Sequence, residues 1–185
     1  MKRILTLIAF MLLIAGCSTK NTPKPIEETE SPEFRSYDGD LLRIAVIGEQ
    51  PTIKEKDLIK FTSLDLNQLN QVDSSKYDAI FIMKEYLEQA AESKYAKIYK
   101  SISIPIFFIQ SKKSFIPFIT EDISYKDANE FREQTYATGF LQQNKEEYQS
   151  WGYGLYNDTV SEINIKEAYS RIFGTIQSIK NGKEK

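Results

Sequence analysis

Three short runs of mostly apolar residues dominate the middle of the chain, at positions 41–47, 77–83 and 104–109. They are rich in Ile, Val and Phe, and their apolar side chains occupy consecutive positions instead of alternating with polar ones. Strands that are covered on both faces of a sheet have this pattern. Pro105 has no backbone N–H, so we expect it at the start of its strand or on a sheet edge.

The segment between the second and third runs, residues 84–102, has the period of an amphipathic helix. Tyr95 and Tyr99 flank an apolar face made of Leu87, Ala90, Ala91, Ile98 and Ile102. A strand, a helix and a strand in this order form a βαβ unit, which favours a parallel sheet.

Two other segments have less regular patterns. Residues 51–60 are predicted to form a short helix that Pro51 opens. Leu64 and Leu66 mark a further predicted strand. Residues 111–132 contain only scattered apolar side chains, and we expect a long loop there.

The C-terminal part of the chain predicts a hairpin followed by a helix. Residues 135–141 and 150–156 have strand-like composition, and polar residues 142–149 join them. Asn164 is the predicted helix cap, and Glu167 follows three residues later as in a capping box. The helix is expected to end at Asn181-Gly182. Its apolar stripe consists of Ile165, Ala168, Tyr169, Ile172, Phe173, Ile176 and Ile179.

These elements predict a single α/β domain over residues 41–185. The sheet is expected to be mostly parallel and to form a three-layer, flavodoxin-like or Rossmann-like arrangement. A C-terminal β-hairpin and a final amphipathic helix complete the predicted domain.

Candidate ligand-binding residues follow the predicted strands, because ligands of open α/β sheets bind beyond the carboxyl ends of the strands. Five side chains there could converge on one rim and bind a small polar or anionic ligand. They are Glu49, Lys84, Glu85, Ser111 and Lys112. The alternative is that they are polar only because the rim of any such domain meets water.

The aromatic side chains of the predicted hairpin offer a second candidate surface. Trp151, Tyr153 and Tyr156 could contact a protein or cell-envelope partner, because exposed aromatic residues are common at interfaces. The competing interpretation, which we favour for Trp151 and Tyr153, is that they pack in the core of a small domain.

Composition excludes several classes of function. The chain has 185 residues, with 24 Lys and Arg against 26 Asp and Glu, so no basic surface suggests nucleic acid as a partner. It has no histidine and one cysteine, which excludes a Ser-His-Asp triad and His-ligated zinc or haem. We predict no cofactor, no metal site and no catalytic residue.

The N-terminus carries a targeting signal. A positive start is followed by an apolar run that is too short to span a bilayer, so residues 1–16 are predicted to be a cleaved signal peptide. Ile14-Ala15-Gly16-Cys17 resembles the lipobox of bacterial lipoproteins. That resemblance implies lipid on Cys17 and anchoring to the outer face of the cytoplasmic membrane. Residues 17–40 are predicted to hold the lipidated cysteine and a flexible tether, because residues 18–40 contain three prolines, several acidic groups and almost no apolar side chain.

As a whole, the chain resembles uncharacterised lipoproteins of low-GC Gram-positive bacteria. The resemblance rests on the lipobox, the acidic, proline-containing tether, and the stretches at residues 77–85 and 151–158. It implies a location but no chemistry. Our leading hypothesis is a non-enzymatic, membrane-anchored binding or protein-interaction module. The alternative is a small-ligand receptor or hydrolase that uses Glu49, Lys84 and Ser111.

Overall fold

The computed structural model describes residues 34–130 and 135–182. In this part of the chain six strands form one mixed sheet in the order β2-β1-β3-β4-β5-β6. Strands β1 to β4 run parallel to one another. Strand β5 is antiparallel to β4 and pairs with β6 as a hairpin. The strands are β1 (Leu42–Ile47), β2 (Ile59–Ser63), β3 (Ala79–Ile82), β4 (Ile106–Ile109), β5 (Thr135–Gln142) and β6 (Tyr148–Gly154).

Helices cover both faces of the sheet, and each face has its own hydrophobic core. Ile44 and Val46 of β1 face the long helix α4 (Glu162–Lys180), which contributes Tyr169, Ile172, Phe173 and Ile176. Ala45 and Ile47 face the other side, where three short helices lie: α1 (Leu87–Ala90), α2 (Ser93–Ser101) and α3 (Ile116–Ile119). The prediction of an α/β domain with a mostly parallel sheet, a C-terminal hairpin and a final helix is therefore confirmed.

The start of α4 differs from its prediction. Ser161, not Asn164, is the residue that caps the helix, and its side chain accepts a hydrogen bond from the backbone N–H of Asn164. The side-chain amide of Asn164 is buried and donates to the carbonyls of Tyr156 and Thr159. Asn164 therefore fastens the preceding loop to the first turn of the helix. The predicted apolar stripe and the end of the helix at Asn181 are confirmed.

The predicted helix over residues 51–60 is wrong, because these residues are not helical and their last two begin β2. Strand β2 lies at the edge of the sheet, where Ile59 is its one buried side chain, so its apolar pattern is weak. The strand predicted at Leu64 and Leu66 is also wrong. Leu66 opens a 3₁₀ turn, Leu66–Gln71, because Asp65 and Gln68 form a reciprocal capping box.

The helix predicted over residues 84–102 is broken into a 3₁₀ turn (Lys84–Tyr86), α1 and α2. The backbone of Glu92 is extended, which separates the two helices. Both helices bury the same apolar face, so one stripe of residues runs across the break. The loop predicted over residues 111–132 contains α3, whose Phe118 stacks on Phe108 at a centroid distance of 3.6 Å.

Residues 34–41, which we call the strap, lie along α4 and are part of the folded domain. Tyr37 is buried, and its backbone N–H donates to the buried carboxylate of Glu55 over 2.9 Å. Its hydroxyl lies 2.6 Å from the side-chain oxygen of Gln177, and Lys180 donates to the carbonyl of Leu41. The domain thus begins before the predicted boundary at residue 41.

The predicted signal peptide, the lipidated Cys17 and the first part of the predicted tether lie outside the described residues. Among the helices at 34–130 and 135–182, none combines the length and the hydrophobicity that crossing a bilayer requires. The anchor therefore stays a prediction from the sequence.

Candidate functional site

One rim of the sheet collects the ends of many elements. The four parallel strands all end there. Strand β5 is antiparallel to β4 and therefore begins at this rim, and β6 is antiparallel to β5 and therefore ends there. Helix α4 also starts there, after the loop that follows β6. Chain direction therefore brings together segments that lie far apart in the sequence.

Two adjoining cavities lie at this rim, and we call them together the rim cleft. The first has a volume of about 520 Å³ and the second about 510 Å³, which is within the size range of small-molecule sites. Both are lined by Lys84, Gln110, Tyr136, Val160 and Ile165. The first cavity is further lined by Lys112, Glu130, Thr135, Leu155 and Asp158, and the second reaches Glu49, Pro51, Glu85 and Lys166, among others.

The backbone around the rim cleft adopts uncommon conformations. Gln110, Asn157 and Asp158 have positive φ angles of 58°, 48° and 51°, and they are the non-glycine residues with positive φ in the described chain. Such conformations cost on the order of 1 kcal/mol each and concentrate at functional sites. All three lie at the rim, so the surrounding structure holds this backbone in place.

Lys84 and Lys112 bring two ammonium groups to the first cavity. Both side chains are exposed, and neither forms a hydrogen bond or ion pair with any residue that the structure describes. Their charges are therefore available to an anion. The carboxylates of Glu130 and Asp158 line the same cavity, and each is exposed to solvent.

Glu85 has a structural role at the rim. Its Oε1 accepts a hydrogen bond of 2.7 Å from the backbone N–H of Glu49. The bond fixes the turn after β1, where Gly48 has a φ of 112° and where an added Cβ would collide with the Glu85 carboxylate. The Glu49 side chain itself is exposed and lines the second cavity.

Ser111 does not line either cavity of the rim cleft. It is fully buried, and its hydroxyl donates to the carbonyl of Lys113 over 2.9 Å and accepts from the Lys113 N–H. These bonds close a local turn and occupy the hydroxyl. Of the five predicted rim residues, the structure thus brings Glu49, Lys84, Glu85 and Lys112 to the cleft and leaves Ser111 beneath it.

Tyr136 of β5, which was not among the five predicted rim residues, lines both cavities. Its hydroxyl lies 3.5 Å from that of Tyr169. Burial raises the pKa of Tyr136, although hydrogen bonding with Tyr169 and Gln110 acts in the opposite direction. The Tyr136 O–H donates to the Tyr169 hydroxyl, so the phenol oxygen rather than its proton is available at the rim. A prediction that β5 runs antiparallel to β4 would have placed Tyr136 at the rim.

The three aromatic residues of the predicted partner surface differ in burial: Tyr153 is buried, Trp151 is partly buried and Tyr156 is exposed. Tyr153 is 5% exposed and its hydroxyl donates to Thr175, while the Trp151 ring lies 6.0 Å from that of Phe107. Packing, the interpretation favoured from the sequence, is what the structure shows for both. Tyr156 is 46% exposed and meets Phe34 edge to face at 5.5 Å.

No cluster of three or more potential metal-ligating side chains occurs in the part of the chain that the structure describes. The comparisons with known proteins add no relative: no family model matches the chain, and neither a curated protein nor a solved structure is significantly similar to it. The functional argument therefore rests on the geometry of the rim.

Proposed function

We propose that this protein is a non-enzymatic binding module that holds a small ligand in the rim cleft. The observation that carries the proposal is the convergence on one cavity of about 520 Å³ of two lysines, Lys84 and Lys112, whose ammonium groups pair with no residue that the structure describes. Exposed charges that face a common cavity, with no internal counter-ion in contact, are available to a bound partner.

The fold supports this placement. We propose that the domain is a three-layer, flavodoxin-like variant, because β2-β1-β3-β4 repeats the first four positions of that strand order. Ligands of such sheets bind outside the carboxyl ends of the strands. The rim cleft lies at those ends, next to Lys84 and Gln110, which follow β3 and β4.

The hydrolase alternative has less support than binding. Its proposed hydroxyl, that of Ser111, is buried and engaged by Lys113. The full sequence contains no histidine that could act as a base near neutral pH. A binding role needs only the cleft and its charges.

We propose further that the module acts at the outer face of the cytoplasmic membrane, held by lipid on Cys17. The support is the lipobox-like Ile14-Ala15-Gly16-Cys17 at the end of a short apolar run. The chain carries a net charge of −2, so anionic lipid would not attract it and the acyl chains must supply the anchoring.

A protein partner is the second candidate function, and a specific observation favours it. Tyr156, Val160 and Ile163 are 46%, 77% and 43% exposed, and they lie around the loop that borders the rim cleft. Exposed aromatic and aliphatic side chains in one short segment are typical of contact surfaces. This surface would be tested by Tyr156→Ala.

The two candidates are separated by one experiment on the full chain in detergent. A chemically diverse library, containing neutral, cationic and anionic compounds, is screened for a rise in melting temperature. Cleft binding predicts compounds that stabilise the wild type and a Lys60→Met control, whose exposed lysine lies on the edge strand β2, but not Lys84→Met. If no compound depends on Lys84, the cleft proposal fails.

The partner candidate is tested by crosslinking in cells. Crosslinking to one dominant protein that Tyr156→Ala abolishes would favour the partner surface over the cleft.

A further inference from the structure

We propose that the rim cleft selects an organic oxyanion, a carboxylate or a phosphate carried on a compact apolar body. This inference rests on the proposed binding function and names the class of ligand. The oxyanion lies between Lys84 and Lys112, and the apolar body lies against Leu155, Val160 and Ile165, which line the same cavity.

The charges at the cleft differ in how they are engaged. Around the second cavity, Lys166 pairs with Glu162 at 2.5 Å, and Glu85 accepts the N–H of Glu49. In the first cavity no described carboxylate oxygen lies within 4 Å of the Lys84 or Lys112 ammonium.

Glu130 and Asp158 share the first cavity and are exposed to solvent, and neither forms an ion pair with the two lysines. An anionic group bound in this cavity would accept charge-assisted hydrogen bonds from both lysines.

A neutral donor reinforces the preference for an oxyanion. The Gln110 side-chain amide lies beside the Tyr136 hydroxyl, whose own O–H donates to Tyr169. Both groups line the cavity that the two lysines share. An oxyanion has four or more lone-pair positions, so it can accept from the ammonium groups and from the Gln110 amide at once.

One wall of the same cavity is apolar. Val160 is 77% exposed although it is aliphatic, and it follows the left-handed pair Asn157 and Asp158. Leu155 and Ile165 are half-buried beside it and touch the core beneath α4. A ligand with an apolar body would cover this wall and remove it from water, which an inorganic anion cannot do.

The test is isothermal titration of the full chain in detergent with five small probes that differ in charge and in whether they carry an apolar body. Benzoate and phenyl phosphate carry both features, inorganic phosphate lacks the apolar body, benzyl alcohol lacks the charge, and benzylamine reverses it. At least one of the two aromatic anions should bind at least tenfold tighter than benzyl alcohol, benzylamine and inorganic phosphate. Whichever aromatic anion is preferred distinguishes a carboxylate from a phosphate ligand.

The variants assign the binding to the cleft. Lys84→Met and Lys112→Met should each lower the affinity for the preferred anion about tenfold, while Lys60→Met should change that affinity less than twofold. Val160→Ser should lower the affinity for the aromatic anion and leave the affinity for inorganic phosphate unchanged. Circular dichroism checks that each variant is folded.

Three results would overturn the inference: benzyl alcohol or benzylamine binding as tightly as the anions, anion affinity that survives both lysine substitutions, or no binding of any probe. These results are distinct from failure of the proposed function. A neutral or cationic compound from the diverse library that requires Lys84 would refute the oxyanion and keep the binding cleft.

Discussion

Replacing Gly48 with alanine should destabilise the domain and disorganise the rim. Gly48 has a φ of 112°, a conformation that L-residues rarely adopt, and forcing alanine into it costs about 1–3 kcal/mol. An added Cβ would lie 2.8 Å from the Cβ of Met83 and overlap the Glu85 carboxylate. Moving that carboxylate breaks its bond to the Glu49 N–H, a charge-assisted bond worth about 1.5 kcal/mol or more.

The sum is a loss of about 3 kcal/mol in the free energy of unfolding, because the backbone and hydrogen-bond costs act together. For a chain of this length, that corresponds to a fall in melting temperature of roughly 6–12 °C. The free energy of unfolding is measured by urea titration of the full chain in detergent, and far-ultraviolet circular dichroism monitors the loss of secondary structure.

Gly174→Ala is the matched control. Gly174 lies within α4, and an added Cβ there meets no atom within 4 Å. Alanine is the better helix former, so this variant should gain about 0.5–1 kcal/mol. Opposite signs for the same chemical change support the reasoning. A Gly48→Ala variant within about 1 kcal/mol of the wild type would refute it.

Two further predictions concern the strap and its surroundings. The Gln177 side chain forms hydrogen bonds with the Tyr37 hydroxyl, the Asp40 N–H and the Asp40 carboxylate. Gln177→Ala should therefore lower the free energy of unfolding, measured with urea, by about 2 kcal/mol. Gln89→Ala, an exposed control in α1, should be neutral, and equal effects of the two would count against a stabilising strap. Burial acts to raise the pKa of Asp78, but hydrogen bonds from the Arg43 side chain and backbone, together with the Lys180 charge, bring it below its usual value. Because the folded pKa is lowered, this stabilisation is present above the unfolded value of about 4 and is lost as the pH falls through the folded one. Stability measured from pH 6 to 2 should therefore fall more steeply for the wild type than for Asp78→Asn, and equal slopes would contradict this.

The elements that sequence reasoning found are those with a complete apolar signal. Strands β1, β3 and β4 are buried on both faces, and α4 carries an uninterrupted stripe. Strand β2 was missed because an edge strand with one buried side chain shows no such run. The break at Glu92 was missed because both helices bury the same face, so the period alone does not reveal it.

The site was predictable only where it follows from strand direction alone. Lys84 and Lys112 come just after β3 and β4, and the parallel sheet brings them to one rim. Ser111 also follows β4, but its hydroxyl bonds the backbone of Lys113 and the side chain is buried. The order of residues does not reveal this local turn. Tyr136 reaches the rim because β5 reverses direction, which no local pattern indicates.

The change from parallel to antiparallel pairing between β4 and β5 has a mechanical consequence. The rim cleft lies across this boundary, with Lys84 and Gln110 on the parallel side and Tyr136 and Asp158 on the hairpin side. A ligand held by both sides would link the parallel strands to the hairpin. Its binding free energy is then added to the resistance of the hairpin to peeling away from β4, so occupancy would be reported by slower amide exchange along β5.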